Sequence, residues 1–126
     1  MPFEKYFTTD EANSLVPELL EIVPLIQEFT LHLRKDYPDV ALAQKNLKMN
    51  GGSQDGSSYL RIVLQLNRLV NVLTSKGCVI KGLDQGLIDF PTMREGREVF
   101  LCWKNPESEI THWHDLDAGY AGRQKL

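Results

Sequence analysis

The side chains best suited to chemistry in this chain are concentrated near its carboxy terminus, in the stretch ITHWHDLDAGYAGRQ at residues 110–124. This stretch holds two histidines one residue apart, two aspartates and an arginine, and Asp89 and Cys102 lie a short distance upstream. Imidazole, thiolate and carboxylate groups are the ligands that zinc and iron accept. The residues therefore suggest a metal site, a nucleophilic site in which His114 serves as base for Cys102, or a set of hydrogen-bonded structural side chains.

Composition narrows the class of protein. The chain has 126 residues, of which 42% are hydrophobic and 25% charged, as expected of one globular domain. A net charge of −3 with scattered basic residues argues against nucleic-acid binding. No apolar run approaches the ~18 residues of a membrane span, and MPFEKYFTTDEA lacks the features of a signal peptide. We expect a cytoplasmic protein with two reduced cysteines that binds neither nucleic acid nor membrane.

Two amphipathic helices are predicted in the first part of the chain. Apolar residues recur at helical spacing over about 9–36 and about 57–76. Thr8 and Glu11 form a capping-box pattern, and Gly77 occupies the place of a left-handed C-cap. Pro17 and Pro24 predict a kink in the first helix, or its division into shorter helices. With a mobile loop, NGGSQDGSS, at 50–58, the two helices are expected to form an antiparallel hairpin.

A β-meander is predicted after the helices, over about 78–124. GLIDFPTMREGREVFLCWK alternates as two strands around a Glu95-Gly96 turn, and residues 110–115 form a third strand. Counting outward from the turn places Asp89 opposite Cys102 on one face. The opposite face is apolar and consists of Ile88, Phe90, Thr92, Val99, Leu101 and Trp103. The predicted fold is one α+β domain, a long helical hairpin followed by a three-stranded antiparallel β-meander.

The third strand can dock in two registers. If Trp113 faces the helices, His112 and His114 join Asp89 and Cys102 on the other face, and a one-residue shift reverses this. We favour the first register because a large apolar ring is buried more readily than two imidazoles. The glycines of DAGYAGRQ allow the tail to turn back, so that Arg123 either binds a ligand or tethers the tail by a salt bridge.

Three segments resemble the prokaryotic domain-of-unknown-function family 2203: KYFTTDEANSLVPEL, GLIDFPTMREGREVFLCWK and WHDLDAGYAGRQ. The resemblance covers about residues 4–30 and 77–124 and implies no established activity. It adds Arg97 to the candidate residues, includes Asp117, which is already a candidate metal ligand by its residue type, and leaves His112 outside the motif.

The sequence therefore predicts a small protein that binds a ligand, a metal or a partner at a polar site on its C-terminal sheet. The alternative is a metal-assisted hydrolase that uses Asp89 and His114 around a bound divalent ion. The candidate ligand-binding residues are Asp89, Arg97, Cys102, His114, Asp117 and Arg123, and the candidate metal ligands among them are Asp89, His114 and Asp117. Leu20, Leu25 and Leu31 lie off the main apolar face of the first helix and predict a homodimer formed through the helices.

Overall fold

A computed structural model describes residues 3–36 and 54–126 and shows an α+β fold, which confirms the predicted class. The helices are α1 (Thr9–Asn13), α2 (Val16–Asp36) and α3 (Gln54–Ser75). They are followed by β1 (Val79–Gly82), β2 (Leu87–Arg94), β3 (Arg97–Lys104), β4 (His112–Asp115) and β5 (Gln124–Lys125), with a 3-10 turn at Tyr120–Gly122 before β5. The strands form one antiparallel sheet in sequential order, so the sheet has five strands where three were predicted.

The predicted helix over 9–36 is two helices. Thr8 and Glu11 form the expected capping box, with both backbone-to-side-chain distances at 3.0 Å. The interruption lies between Asn13 and Val16, upstream of Pro17. Pro17 occupies the first turn of α2, where a helix needs no amide donor, so a new helix begins around it. Pro24 lies inside α2, which continues through it.

The second predicted helix begins earlier than its apolar pattern indicates. Because α3 starts at Gln54, residues 54–58 of the predicted loop are helical, and residues 50–53 lie outside the described part of the chain. Its carboxyl end has the predicted cap: Gly77 has a φ of +99°, and its amide donates to the Thr74 carbonyl. The Cys78 amide donates to the Leu73 carbonyl, which completes a Schellman motif.

The hydrophobic core lies between the helices and one face of the sheet. Leu19 and Ile26 of α2 and Leu73 of α3 are buried there together with Phe90 and Trp103 of the sheet. In the described part of the chain, no helix has the length and apolar character to cross a membrane.

The hairpin register predicted from the two-residue turn is confirmed pair by pair. Glu95 and Gly96 have φ values of 52° and 78°, the paired positive angles of a type I′ turn. Asp89 lies opposite Cys102, as counted from that turn. In β4, Trp113 lies opposite Leu101 and belongs to the core, so the predicted register of the third strand is also confirmed.

Both ends of the described chain contact the sheet. The ring of Phe3 packs edge-on against Phe100, with the ring centres 5.4 Å apart. At the other end, the Leu126 amide donates to the Thr111 carbonyl at 2.9 Å, which extends the pairing of β5 with β4. The face of the sheet opposite the helices is therefore partly enclosed by the rest of the chain.

Candidate functional site

A buried pair of ionisable side chains lies at the centre of that face. Nε2 of His114 is 2.9 Å from Oδ2 of Asp89, and both side chains are only 2% exposed. Strands β2 and β4 flank β3, and the alternation of residues along each strand directs both side chains to the same side. The predicted proximity of Asp89 and His114 is thereby confirmed.

Hydrogen bonding determines how many protons this pair holds. Nδ1 of His114 lies 2.7 Å from the Asp115 carbonyl oxygen, which can only accept, so Nδ1 carries a hydrogen. A neutral imidazole then has an unprotonated Nε2, which cannot bond to a carboxylate oxygen unless a proton lies between them. Asp89 and His114 therefore share one proton, either as an ion pair or as a carboxylic acid that donates to a neutral imidazole.

Cys102 completes a cluster of three. Its thiol hydrogen-bonds to Asp89, and burial together with the nearby Asp89 charge raises the pKa of Cys102 to about 12. Burial also raises the pKa of Asp89, against the opposing effects of His114 and Lys81. A thiol with so high a pKa is a poor nucleophile. The geometry therefore gives no support to nucleophilic catalysis by Cys102.

The three side chains have the arrangement of metal ligands. Asp89, Cys102 and His114 each offer one ligand atom, and these atoms all lie within 4.8 Å of one another. All three residues are buried.

A cavity of about 310 Å³ opens beside the cluster. Its polar lining includes the cluster itself and the side chains of Lys81 and Gln85. The rest of the wall is formed by Leu87, Leu116, Gly119 and Tyr120. The volume is at the lower end of the range of about 300–1,000 Å³ typical of small-molecule sites.

His112 and Arg123 form a separate group on the same side of the sheet. Arg123 Nη2 lies 2.8 Å from both Glu107 Oε2 and His112 Nδ1. Because a guanidinium only donates, Nδ1 of His112 accepts and is unavailable as a metal ligand. Of the two readings of Arg123, the structure shows the salt bridge that tethers the tail. The two histidines therefore do not form a chelate, although they project to the same side.

Two candidate residues lie elsewhere. Arg97 pairs with Asp115 at 3.0 Å and is largely exposed, and alternation along β3 places it on the same side as Val99, away from the cluster. Asp117 is exposed in the turn that follows β4 and is not a member of the ligand group. The structure therefore does not bring either of these two candidate residues to the cluster of Asp89, Cys102 and His114.

Other site residues were missed by the sequence reasoning. Lys81 belongs to β1, a strand that was not predicted, and its Nζ lies 4.6 Å from the centre of the Phe100 ring. Tyr120 reaches the cavity wall only because the tail turns back at Gly119, whose φ is +71°. The segment Val79–Gly82 reads VIKG and does not alternate between apolar and polar residues, so the sequence offers no distinctive signal for β1.

Fold and site together define a small α+β protein with a buried carboxylate, thiol and imidazole beside a cavity. The chain belongs to the DUF2203 family, described as "Uncharacterized conserved protein", whose family model matches residues 5–126. No curated protein and no solved structure matched the chain.

Proposed function

We propose that the protein binds one divalent transition-metal ion, such as Zn²⁺, through Asp89, Cys102 and His114. The observation that carries this proposal is the convergence of three different ligand atoms within 4.8 Å on a buried face beside a cavity. Three protein ligands and one open position are typical of zinc sites that also bind water or a small molecule.

The hydrogen bond of His114 supports this assignment. Metal-binding histidines commonly donate the hydrogen of the second ring nitrogen to a carbonyl or carboxylate. Nδ1 of His114 donates in this way to the Asp115 carbonyl, which directs the Nε2 lone pair toward Asp89 and Cys102. The imidazole is therefore oriented as a ligand before any ion arrives.

Metal binding at this cluster must release protons. The Cys102 thiol has to lose its hydrogen, and the Asp89–His114 pair has to lose the proton that the two side chains share. The ion therefore displaces two protons from the site, and its affinity rises steeply with pH. Calorimetric titration with Zn²⁺ in buffers of different ionisation enthalpy measures that number directly, and a value near zero would place the ion elsewhere.

Cobalt provides a direct test of the ligands. Co²⁺ bound to a thiolate has a sulfur-to-metal charge-transfer band in the near ultraviolet, so untagged protein is expected to show this band on titration. Cys102→Ser should abolish the band. Because it removes a ligand, it should weaken Zn²⁺ binding by more than the about 10–100-fold that loss of a ligand's hydrogen-bond partner typically costs. Cys78→Ser is the matched control, because Cys78 is also a buried free thiol but lies outside the cluster. Unchanged Zn²⁺ affinity in Cys102→Ser contradicts the proposal.

Metal-assisted hydrolysis is the second candidate, favoured by the cavity that adjoins the three ligands. A bound Zn²⁺ supplies an activated water for such a reaction. The test is hydrolysis of a panel of small esters and phosphoesters by Zn²⁺-loaded protein, with Asp89→Asn as the inactive variant. Turnover that survives in Asp89→Asn would not originate at this site.

A further inference from the structure

The cavity wall carries a cation that has no acidic partner of its own. Lys81 lines the cavity with its ammonium group over the Phe100 ring. Among the side chains that the structure describes, those of residues 3–36 and 58–126, no carboxylate forms an ion pair with Lys81. Lys81 has a through-space charge interaction with Asp89, but that carboxyl group is already paired with His114.

The charge of the cavity is the same with and without a metal ion. In the metal-free protein, Asp89 and His114 share one proton and sum to zero, and Cys102 is a neutral thiol. With a divalent ion bound, the carboxylate and the thiolate balance its two charges. In both states the ammonium of Lys81 leaves the lining with a single net positive charge.

Cations beside Tyr120 add to this positive potential. Tyr120 lines the cavity, and its ring centre lies 5.1 Å from Lys104 Nζ and 4.8 Å from Arg123 Cζ. Arg123 is balanced by Glu107, whereas Lys104 has no ion pair among the described residues. Lys81 in the wall and Lys104 beside its Tyr120 ring together concentrate anions at the cavity.

We propose that the cavity binds a small organic monocarboxylate, with its carboxylate group paired to Lys81 and its apolar part against Leu87, Leu116 and Tyr120. A free inorganic anion could use the charge of Lys81 but not this apolar wall. The cavity volume of about 310 Å³ limits the ligand to a small molecule. This inference deepens the proposed function by assigning a ligand class to the cavity beside the metal ligands. It rests on the proposed function only in taking that cavity as the binding site.

Benzoate and benzamide form a suitable pair of probes because they have nearly the same shape and differ in charge. Amide chemical shifts of the metal-free, isotope-labelled protein are followed by two-dimensional NMR as each probe is added. We expect saturable benzoate shifts in β1, in β2 and in the turn after β4, with benzamide at least about tenfold weaker. Inorganic phosphate should give no saturable shifts there.

Variants at Lys81 then test the role of its charge. Lys81→Met retains much of the side-chain length without the charge and should weaken benzoate binding by about tenfold while leaving benzamide unchanged. Lys81→Arg should retain benzoate binding. Lys35→Met is the control, because Lys35 is, like Lys81, an exposed lysine but lies outside the cavity lining. Equal affinity for benzoate and benzamide, no effect of Lys81→Met, or no saturable shift with benzoate would each overturn the proposal.

The two proposals fail separately. The NMR titration uses metal-free protein and so does not depend on the metal site. If benzoate does not bind but the Co²⁺ spectrum shows the expected band, only the monocarboxylate proposal is overturned. If benzoate binds in a Lys81-dependent way but no metal binds at Cys102, only the metal-site proposal is overturned.

Discussion

Replacing His114 with alanine should destabilise the metal-free protein substantially. The His114 side chain is 2% exposed and is a hydrogen-bond partner of the equally buried Asp89 side chain. Without it, the carboxyl group of Asp89 retains only the thiol of Cys102 as a side-chain partner. The ring also packs against Phe100, with the ring centres 5.5 Å apart, so its removal leaves a space in a packed region.

The magnitude follows from these two losses. A buried polar group deprived of its partner costs about 1–3 kcal/mol, and the space left by a large buried side chain adds to this. We expect His114→Ala to lower the free energy of unfolding by about 3 kcal/mol, a large fraction of the about 5–15 kcal/mol typical of a domain. The corresponding fall in Tm is roughly 10 °C.

Asp89→Asn is the matched variant, and it should be tolerated. The asparagine amide can donate to Nε2 of His114, which is unprotonated when Nδ1 donates to the Asp115 carbonyl. Its carbonyl oxygen can accept from the Cys102 thiol. Every polar group keeps a partner, so the expected loss is below about 1 kcal/mol. The same variant should lose most of its Zn²⁺ affinity, because a neutral amide replaces a charged ligand.

Urea unfolding at neutral pH with a chelator present measures both changes. The free energies come from the midpoint and the slope of each transition. Wild-type stability in His114→Ala, or equal losses in His114→Ala and Asp89→Asn, would refute the assignment of one shared proton to a buried pair.

Three further outcomes are expected. Burial raises the pKa of Cys78 from 9.0 to about 11 and that of Cys102 from 9.0 to about 12, so the folded protein retains thiol protons that the unfolded chain releases. This contribution to stability is fully present below pH 9 and falls as the pH rises to about 11 for Cys78 and to about 12 for Cys102, by at most about 1.4 kcal/mol per pH unit for each thiol. Urea unfolding across that pH window should show that the free energy of unfolding falls less in Cys102→Ala than in the wild type. A wild-type free energy that does not change with pH would contradict the burial of both thiols. Gly119 has a φ of +71° and a ψ of −173°, a backbone conformation that costs a residue with a side chain about 1–3 kcal/mol. A Cβ there would meet no atom within 4 Å, so Gly119→Ala adds this strain without a clash. Hydrogen exchange should then speed up in β5 but not in β2, and an unchanged tail would contradict this. Leu25 and Leu31 on α2 are 43% and 57% exposed, and we propose that α2 mediates a homodimer. Leu31→Lys should shift the sedimentation of the protein toward that of the monomer. A wild-type protein that is monomeric at tens of micromolar would exclude this dimer.

The sequence predicted the centre of the sheet accurately because two local rules determine it. A two-residue turn sets the pairing of its flanking strands, and period-2 alternation then assigns each side chain to a face. The burial preference of Trp113 settled the third strand. These rules were sufficient to bring Asp89, Cys102 and His114 together. The same alternation places Arg97 on the other face, so the signal that excludes Arg97 was already present in the sequence.

The parts that were missed depend on contacts distant in sequence. Strands β1 and β5 have four and two residues, too few for a recognisable pattern, and each is an edge strand that gains its place by pairing with a neighbour. Lys81 could not be placed without β1. The break before α2 was one of two alternatives, a kink or a division into shorter helices. The sequence does not decide between them, because a proline is compatible with both an interrupted helix and a new first turn.

The three proposed ligands lie on adjacent strands, and Asp89 and His114 are only 25 positions apart in the chain. Inserting or deleting one residue within a strand of this segment reverses the face of every side chain between that point and the strand's end. Changes in the length of the helices and their connection leave this spacing untouched. Natural variation in chain length is therefore expected to accumulate among the helices, while the segment from Asp89 to His114 changes by substitution.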